Sequence, residues 1–183
     1  MGIIRNVKAF IISIAISMGT GLIASLLTLR NFGVYSEMIQ PPLSPPAWLF
    51  PVVWTTLYFL MGVSAYMIYM EKSEEKFAAL GVYLIQLVFN FLWSLIYFNL
   101  GQVLFAFIWL VILWMLILVM VVSFYRINKT AGYLQIPYLI WVTFAGYLNL
   151  ALYLLNRWYE IKGKYFEKIG YLIWRIADFL IFK

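Results

Sequence analysis

Residues 40–70, QPPLSPPAWLFPVVWTTLYFLMGVSAYMIYM, decide how this chain folds. Five prolines fall between Gln40 and Trp54. They remove backbone donors and hold the first half of the stretch away from regular helix. Three large aromatics, Trp48, Phe50 and Trp54, sit on that stiffened backbone, and residues 55–70 then run without a charge. A rigid aromatic loop leads directly into a membrane helix, and such a loop is built to cover something at the membrane surface. Ser44 is placed to cap the helix, with Pro45 and Pro46 in first positions where a missing N–H does no harm. Pro51 then predicts a kink near Phe50.

Outward from this stretch the composition sets the class. Of the 183 residues 66% are hydrophobic, 20% aromatic and only 11% charged. No soluble domain of this length can hide so much apolar surface, so the chain reads as an all-α, polytopic membrane protein. It contains no cysteine and no histidine, which removes thiol nucleophiles, imidazole bases and the usual soft-metal ligands; no metal site is expected. The net charge of +6 gathers at the ends and in short loops. That suits anionic lipid headgroups and not nucleic acid.

Four more spans flank the central one. Residues 9–29 form a charge-free run long enough for a hydrocarbon core of roughly 30 Å, and too long for a signal-peptide core. Ser13, Ser17, Gly21 and Ser25 repeat every four residues there, a small-residue stripe that predicts close helix packing. The third span covers residues 78–98 and the fourth 103–124. The fourth is apolar all round and is expected to carry the greatest lipid exposure. The fifth covers residues 133–155, with Pro137 in its first turns.

Two faces stand out. Gln86, Asn90 and Ser94 share one face of the third span, and amides in a bilayer must point into the bundle or a cavity. Tyr138, Trp141, Ala145 and Asn149 follow at three- and four-residue steps on the fifth. Two rings, a small residue and an amide fit a pocket wall, and equally an ordinary packed seam. Past Asn156 charges recur too often for a sixth span. Tyr165, Ile169, Leu172, Ile173, Ile176 and Leu180 oppose Lys164, Glu167, Lys168, Arg175 and Asp178, the pattern of an amphipathic interfacial helix. The chain thus divides into a membrane domain, residues 1–156, and a C-terminal extension, residues 157–183. Arg5, Lys8, Lys72, Lys76, Arg126 and Lys129 fall on the side of the N-terminus, against Arg30 alone opposite when the tail, which adds six basic residues to that side, is left out. This places the N-terminus in the cytoplasm and the proline loop outside.

Three motifs carry a family resemblance: PPLSPPAWLFPVVWTTLYFLMGVSAY, the NxxWSxxYF stretch from Asn90 to Phe98, and PYLIWVTFAGYLN from Pro137 to Asn149. In this order and spacing they resemble the TspO/MBR (translocator protein, peripheral-type benzodiazepine receptor) family. The resemblance covers about residues 5–156. It implies a bundle of five transmembrane helices, often a homodimer, in a membrane that for this chain is expected to be a bacterial cytoplasmic one. It also implies a pocket beneath the first loop that binds porphyrins, sterols or benzodiazepine-site ligands. Carried over residue by residue, the implied ligand contacts are Tyr35, Trp54, Asn90, Trp141 and Ala145; Ser94, one turn on from Asn90, and Tyr138, on the face of Trp141, complete the candidate set. Pro41, Pro42 and Trp48 are lid candidates, Trp48 serving equally as an interface anchor. A loose sterol pattern runs from Leu148 through Tyr153 to Arg157.

The residues agree with that implication. A flat macrocycle needs an apolar slot with aromatic faces and a few orienting polar groups. With no histidine or cysteine for axial ligation, metal-free porphyrin fits better than haem, as a ligand and not a required cofactor. The expected function is a membrane receptor for protoporphyrin-type tetrapyrroles and other apolar molecules, acting in sensing, buffering or transport. The alternative is an enzyme that degrades porphyrin with light and oxygen, with Trp54 and Trp141 as redox-active indoles. No acid–base pair lies in the spans, so no other catalytic residue is expected.

Overall fold

The computed structural model describes residues 6–31 and 38–181, without the side chains of 164–166 and 172–181. In chain order the helices are α1 (Val7–Thr28, followed by a 3-10 turn at Leu29–Asn31) and α2 (Leu49–Met70). Next come α3 (Lys76–Ser94, ending in a π turn at Leu95–Asn99) and α4 (Val103–Ile127). A short α5 (Lys129–Tyr133) and a long α6 (Ile136–Ile181) complete the chain. Five of these helical runs are long and apolar enough to cross a membrane, and no strand occurs among the described residues. At about 1.5 Å per residue, the 22 residues of α1 and of α2 each match a hydrocarbon core of roughly 30 Å. The protein is a five-span, all-α membrane bundle.

Local signals set the helix ends. Asn6 caps α1, its Oδ1 accepting from Ala9 N at 3.0 Å, and Asn128 caps α5 by accepting from Ala131 N. The proline stretch folds differently from expectation. Helix α2 begins at Leu49, not at Pro45, and Ser44 does not cap it. Ser44 N instead donates to Pro41 O across a tight turn in which Leu43 takes a φ of 68°. Pro51 therefore falls in the first turn, where its missing N–H costs nothing, and α2 runs unbroken to Met70. Phe50 and Pro51 thus open the helix and do not interrupt its interior.

Helix α1 lies against α2 through its small residues, as the stripe predicts. A side chain at Gly62 would put its Cβ 2.6 Å from Ser17 Oγ and 2.9 Å from Ile14 Cα. The ring of Tyr58 covers Gly21 equally closely. The buried line turns, however, to Ser17, Ala24 and Thr28, leaving Ser25 exposed. Those three are the only buried residues of α1, whereas α4 buries Ala106, Leu110, Leu113, Ile117, Met120 and Phe124. The expectation that the fourth span is the most lipid-exposed is thus overturned. Helix α4 is held between α3 and α6, while α1 packs chiefly on α2. Uniform apolarity reports hydrophobicity all round; it does not say how many neighbours a helix has.

The last helix, α6, is 46 residues long, roughly 69 Å, and runs through Asn156 into the C-terminal extension. It outruns any single span. Residues 157–163 and 167–171 are all exposed. Of the predicted apolar face, Ile169 is among them; the side chains of Tyr165, Leu172, Ile173, Ile176 and Leu180 lie outside the described residues.

Candidate functional site

At the loop end of the bundle, α2, α3 and α6 direct a group of rings toward one another. Trp54 stands at its centre. Its ring centroid lies 5.7 Å from that of Tyr58, 6.4 Å from Trp93 and 6.3 Å, edge-on, from Tyr138. Trp93 stacks in turn on Tyr97 at 5.4 Å, and Trp141 meets Phe50 edge-on at 5.9 Å. These separations are those of mutually attracting aromatic pairs. The predicted residues Trp54, Asn90, Tyr138, Trp141 and Ala145 thus pack on one shared core.

Asn90 forms the floor of this group, 1% exposed. Its Oδ1 accepts from Tyr58 Oη, and its Nδ2 donates to Tyr138 Oη at 2.9 Å. Tyr138 Oη donates onward to Gln86 Oε1 at 3.0 Å, and Gln86 Nε2 faces Met61 Sδ at 3.9 Å. Donors and acceptors run in one direction from Tyr58 to Met61, so each bond polarises the next in a low-dielectric interior. The π turn then adds one residue to the end of α3. Asn99 there donates to Leu27 O and accepts from Asn31, which pins the end of α1.

Above this satisfied floor, donors remain. The indole N–H groups of Trp93 and Trp141 are buried and bonded to no protein acceptor. A buried N–H left without a partner costs on the order of 1–3 kcal/mol, so these two are poised for an acceptor brought in by something else.

Other predicted residues take different places. Ser94 Oγ turns back to Asn90 O at 3.5 Å within its own helix. Asn149 leaves the wall of Tyr138, Trp141 and Ala145, because its Nδ2 ties to Val103 O at the start of α4. Tyr35 lies outside the described residues. Trp48 is 67% exposed at the N-terminus of α2. Pro41 is buried, and Pro42 O accepts from Tyr147 Oη at 2.8 Å. Asn156 grips the same loop on both sides: its Oδ1 accepts from Ile39 N at 3.0 Å and its Nδ2 donates to Ile39 O at 3.1 Å. Of the sterol pattern, Leu148 is core, while Tyr153 and Arg157 are bonded to one another. Both line a separate cavity of about 550 Å³ at the loop end, with Met38, Gln102 and Glu160.

Sequence reasoning did not place Tyr58, Gln86, Trp93, Tyr147 or Asn156 in the site. Trp93 was within reach, inside the NxxWSxxYF motif and one turn from Asn90. Tyr58 was one turn beyond Trp54.

The sequence model of the TspO/MBR family matches residues 11–154, which takes in every element of this site apart from Asn156. The chain belongs to the TspO/MBR family. It is similar to the tryptophan-rich protein TspO of Chlorobaculum tepidum, 32% identical over 155 residues, 83% of this chain and 98% of that protein. The tryptophan-rich sensory protein of Cereibacter sphaeroides is 35% identical over 122 residues, 67% and 76% of the two chains. The translocator protein of Bos taurus is 32% identical over 144 residues, 77% and 85%. This TspO/MBR protein is an integral membrane protein, and its three motif stretches all fall within the matched region.

Proposed function

We propose that this TspO/MBR protein is a membrane receptor for a porphyrin-type macrocycle, held among the rings at the loop end for sensing, buffering or passage. One observation carries the reading: aromatic faces gathered around Trp54, with the unbonded N–H groups of Trp93 and Trp141 beside them. A flat macrocycle offers π faces to such rings and acceptor atoms to such donors. The polar floor is already paired within itself, so it orients Tyr58 and Tyr138 and does not compete for the ligand. Asn156 and Tyr147 hold the proline loop on α6 and so keep the site covered. In the cell the N-terminus faces the cytoplasm and the loop the outside, as the basic loops indicate. The name of the C. sphaeroides relative, a sensory protein, agrees with a receptor.

Ala145 gives the test. It sits one turn beyond Trp141, half-buried at the wall. Ala145→Phe fills the space beside that ring. We expect protoporphyrin binding, followed in the dark by its Soret band, to be lost with the melting temperature kept. A lower melting temperature with unchanged affinity would assign Ala145 to packing and remove the pocket from this wall.

A further inference from the structure

Below the paired floor lies a second set of polar groups that the receptor reading does not use. Gln135, in the turn before α6, is fully buried, and neither its amide oxygen nor its amide nitrogen has a protein partner. Tyr83, in α3, is 3% exposed, and its hydroxyl faces that of Ser17 without a hydrogen bond of ordinary length.

These groups belong to one level of the bundle. Tyr83, Gln86 and Asn90 follow at three- and four-residue steps on one face of α3, and Gln135 precedes Tyr138 by three. Helices α3 and α6 run in the same direction, because each begins at the end of the bundle opposite the proline loop. Tyr138 Oη bridges Asn90 and Gln86. One turn toward the N-terminal end, continuing the same register would put Gln135 level with Tyr83. Tyr83 also packs in the same buried core as Tyr58 and Tyr138. Across from it stands Ser17 of α1, fully buried, whose hydroxyl donates to backbone carbonyls of its own helix.

A glutamine amide has two donors and a twice-accepting oxygen, and a phenol both donates and accepts. Burying them unpaired opposes folding strongly, and native interiors meet such groups with ordered water making about three hydrogen bonds. We propose that Tyr83, Gln135 and Ser17 enclose a hydrated chamber beneath the ligand pocket. Its ligand is ordered water. The chamber continues the Tyr58–Asn90–Tyr138–Gln86 chain toward the N-terminal end of the bundle, giving the protein a polar column under an aromatic pocket.

The test uses the full chain in lipid nanodiscs with ¹⁵N-glutamine. Only Gln40, Gln86, Gln102 and Gln135 then report, and Gln135→Met identifies the Gln135 side-chain signal by its loss. The amide protons of Gln135 should show a nuclear Overhauser contact to long-lived water, weakened in Tyr83→Phe. Melting temperatures give an opposed sign. A hydrated chamber predicts that Gln135→Met and Tyr83→Phe each lower Tm, the double variant falling by less than the sum. A dry, unmet pair predicts a rise in Tm for each, since an apolar replacement relieves it. Absence of the water contact in folded wild-type protein overturns the proposal, whatever Gln135→Met does to folding; so does a rise in Tm for Tyr83→Phe. Neither readout involves porphyrin, so the receptor reading stands or falls separately.

Discussion

The two ends of the bundle are built on different terms. At the N-terminal end the helices meet backbone to backbone. Gly132 faces Tyr125 so closely that an added Cβ would lie 2.6 Å from Tyr125 Cα, and Ser64 Oγ donates to Ala131 O at 2.7 Å across to α5. At the loop end rings fill the space between helices, Phe50 against Trp141 and Trp54 against Tyr138. Small residues give close packing where lipid supplies no hydrophobic drive between helices. Bulky rings leave surfaces that a flat ligand can share. One end is closed by missing side chains; the other stays adaptable through large ones.

Substitutions test that contrast most strongly at the tight end. Gly132→Ala drives a methyl into the backbone of α4, and overpacking of this kind costs about 1–3 kcal/mol or more. Thermal unfolding should show the largest loss of the series. A melting temperature within error of wild type would mean that the two backbones separate freely and that the contrast is false. Asn90→Leu should follow. It leaves Tyr58 Oη without its acceptor and Tyr138 Oη without a donor, a loss of about 1–3 kcal/mol in urea or thermal unfolding. An unchanged stability would show that the floor carries no load.

At the loop end the effects should fall on the ligand and not on the fold. Asn156→Ala removes both bonds to Ile39, worth about 0.5–1.5 kcal/mol each, and should speed porphyrin release in stopped flow by up to roughly tenfold per bond at constant Tm. Unaltered release with lowered Tm would make Asn156 a fold residue only. Trp141→Phe should have the smallest effect. It keeps a stacking face, loses an unpaired N–H, and lowers dark affinity by roughly tenfold or less. If light-driven loss of the Soret band also stops in that variant, the indole takes part in photochemistry.

How much of this was legible depends on the kind of signal. The five spans follow from charge-free runs, and burial of Gln86 and Asn90 follows from the cost of an amide in lipid. The stripe on α1 showed a packing face, but its turn from Ser25 to Ala24 and Thr28 depends on how α2 crosses it. Pro51 predicts a kink only when the helix is taken to start just after Ser44, four residues before its actual start at Leu49. In the first turn of a helix the same proline is harmless. Helix neighbours were invisible in α4, since an apolar run looks alike beside protein and beside lipid. Long-range pairs such as Asn156 with Ile39 leave no local pattern at all, because they join residues 117 positions apart.

The central claim is that a porphyrin occupies the ring cluster of Trp54, Trp93 and Trp141. The direct measurement is a titration of the purified protein with protoporphyrin in the dark, following tryptophan fluorescence in wild type and in a variant with these three changed to Phe. Of the 8 tryptophans, these three stand at the site, so saturable quenching at one porphyrin per chain is predicted in wild type. The triple variant should lose most of that quenching. Quenching that rises without saturation, or persists at equal strength in the triple variant, would contradict the account.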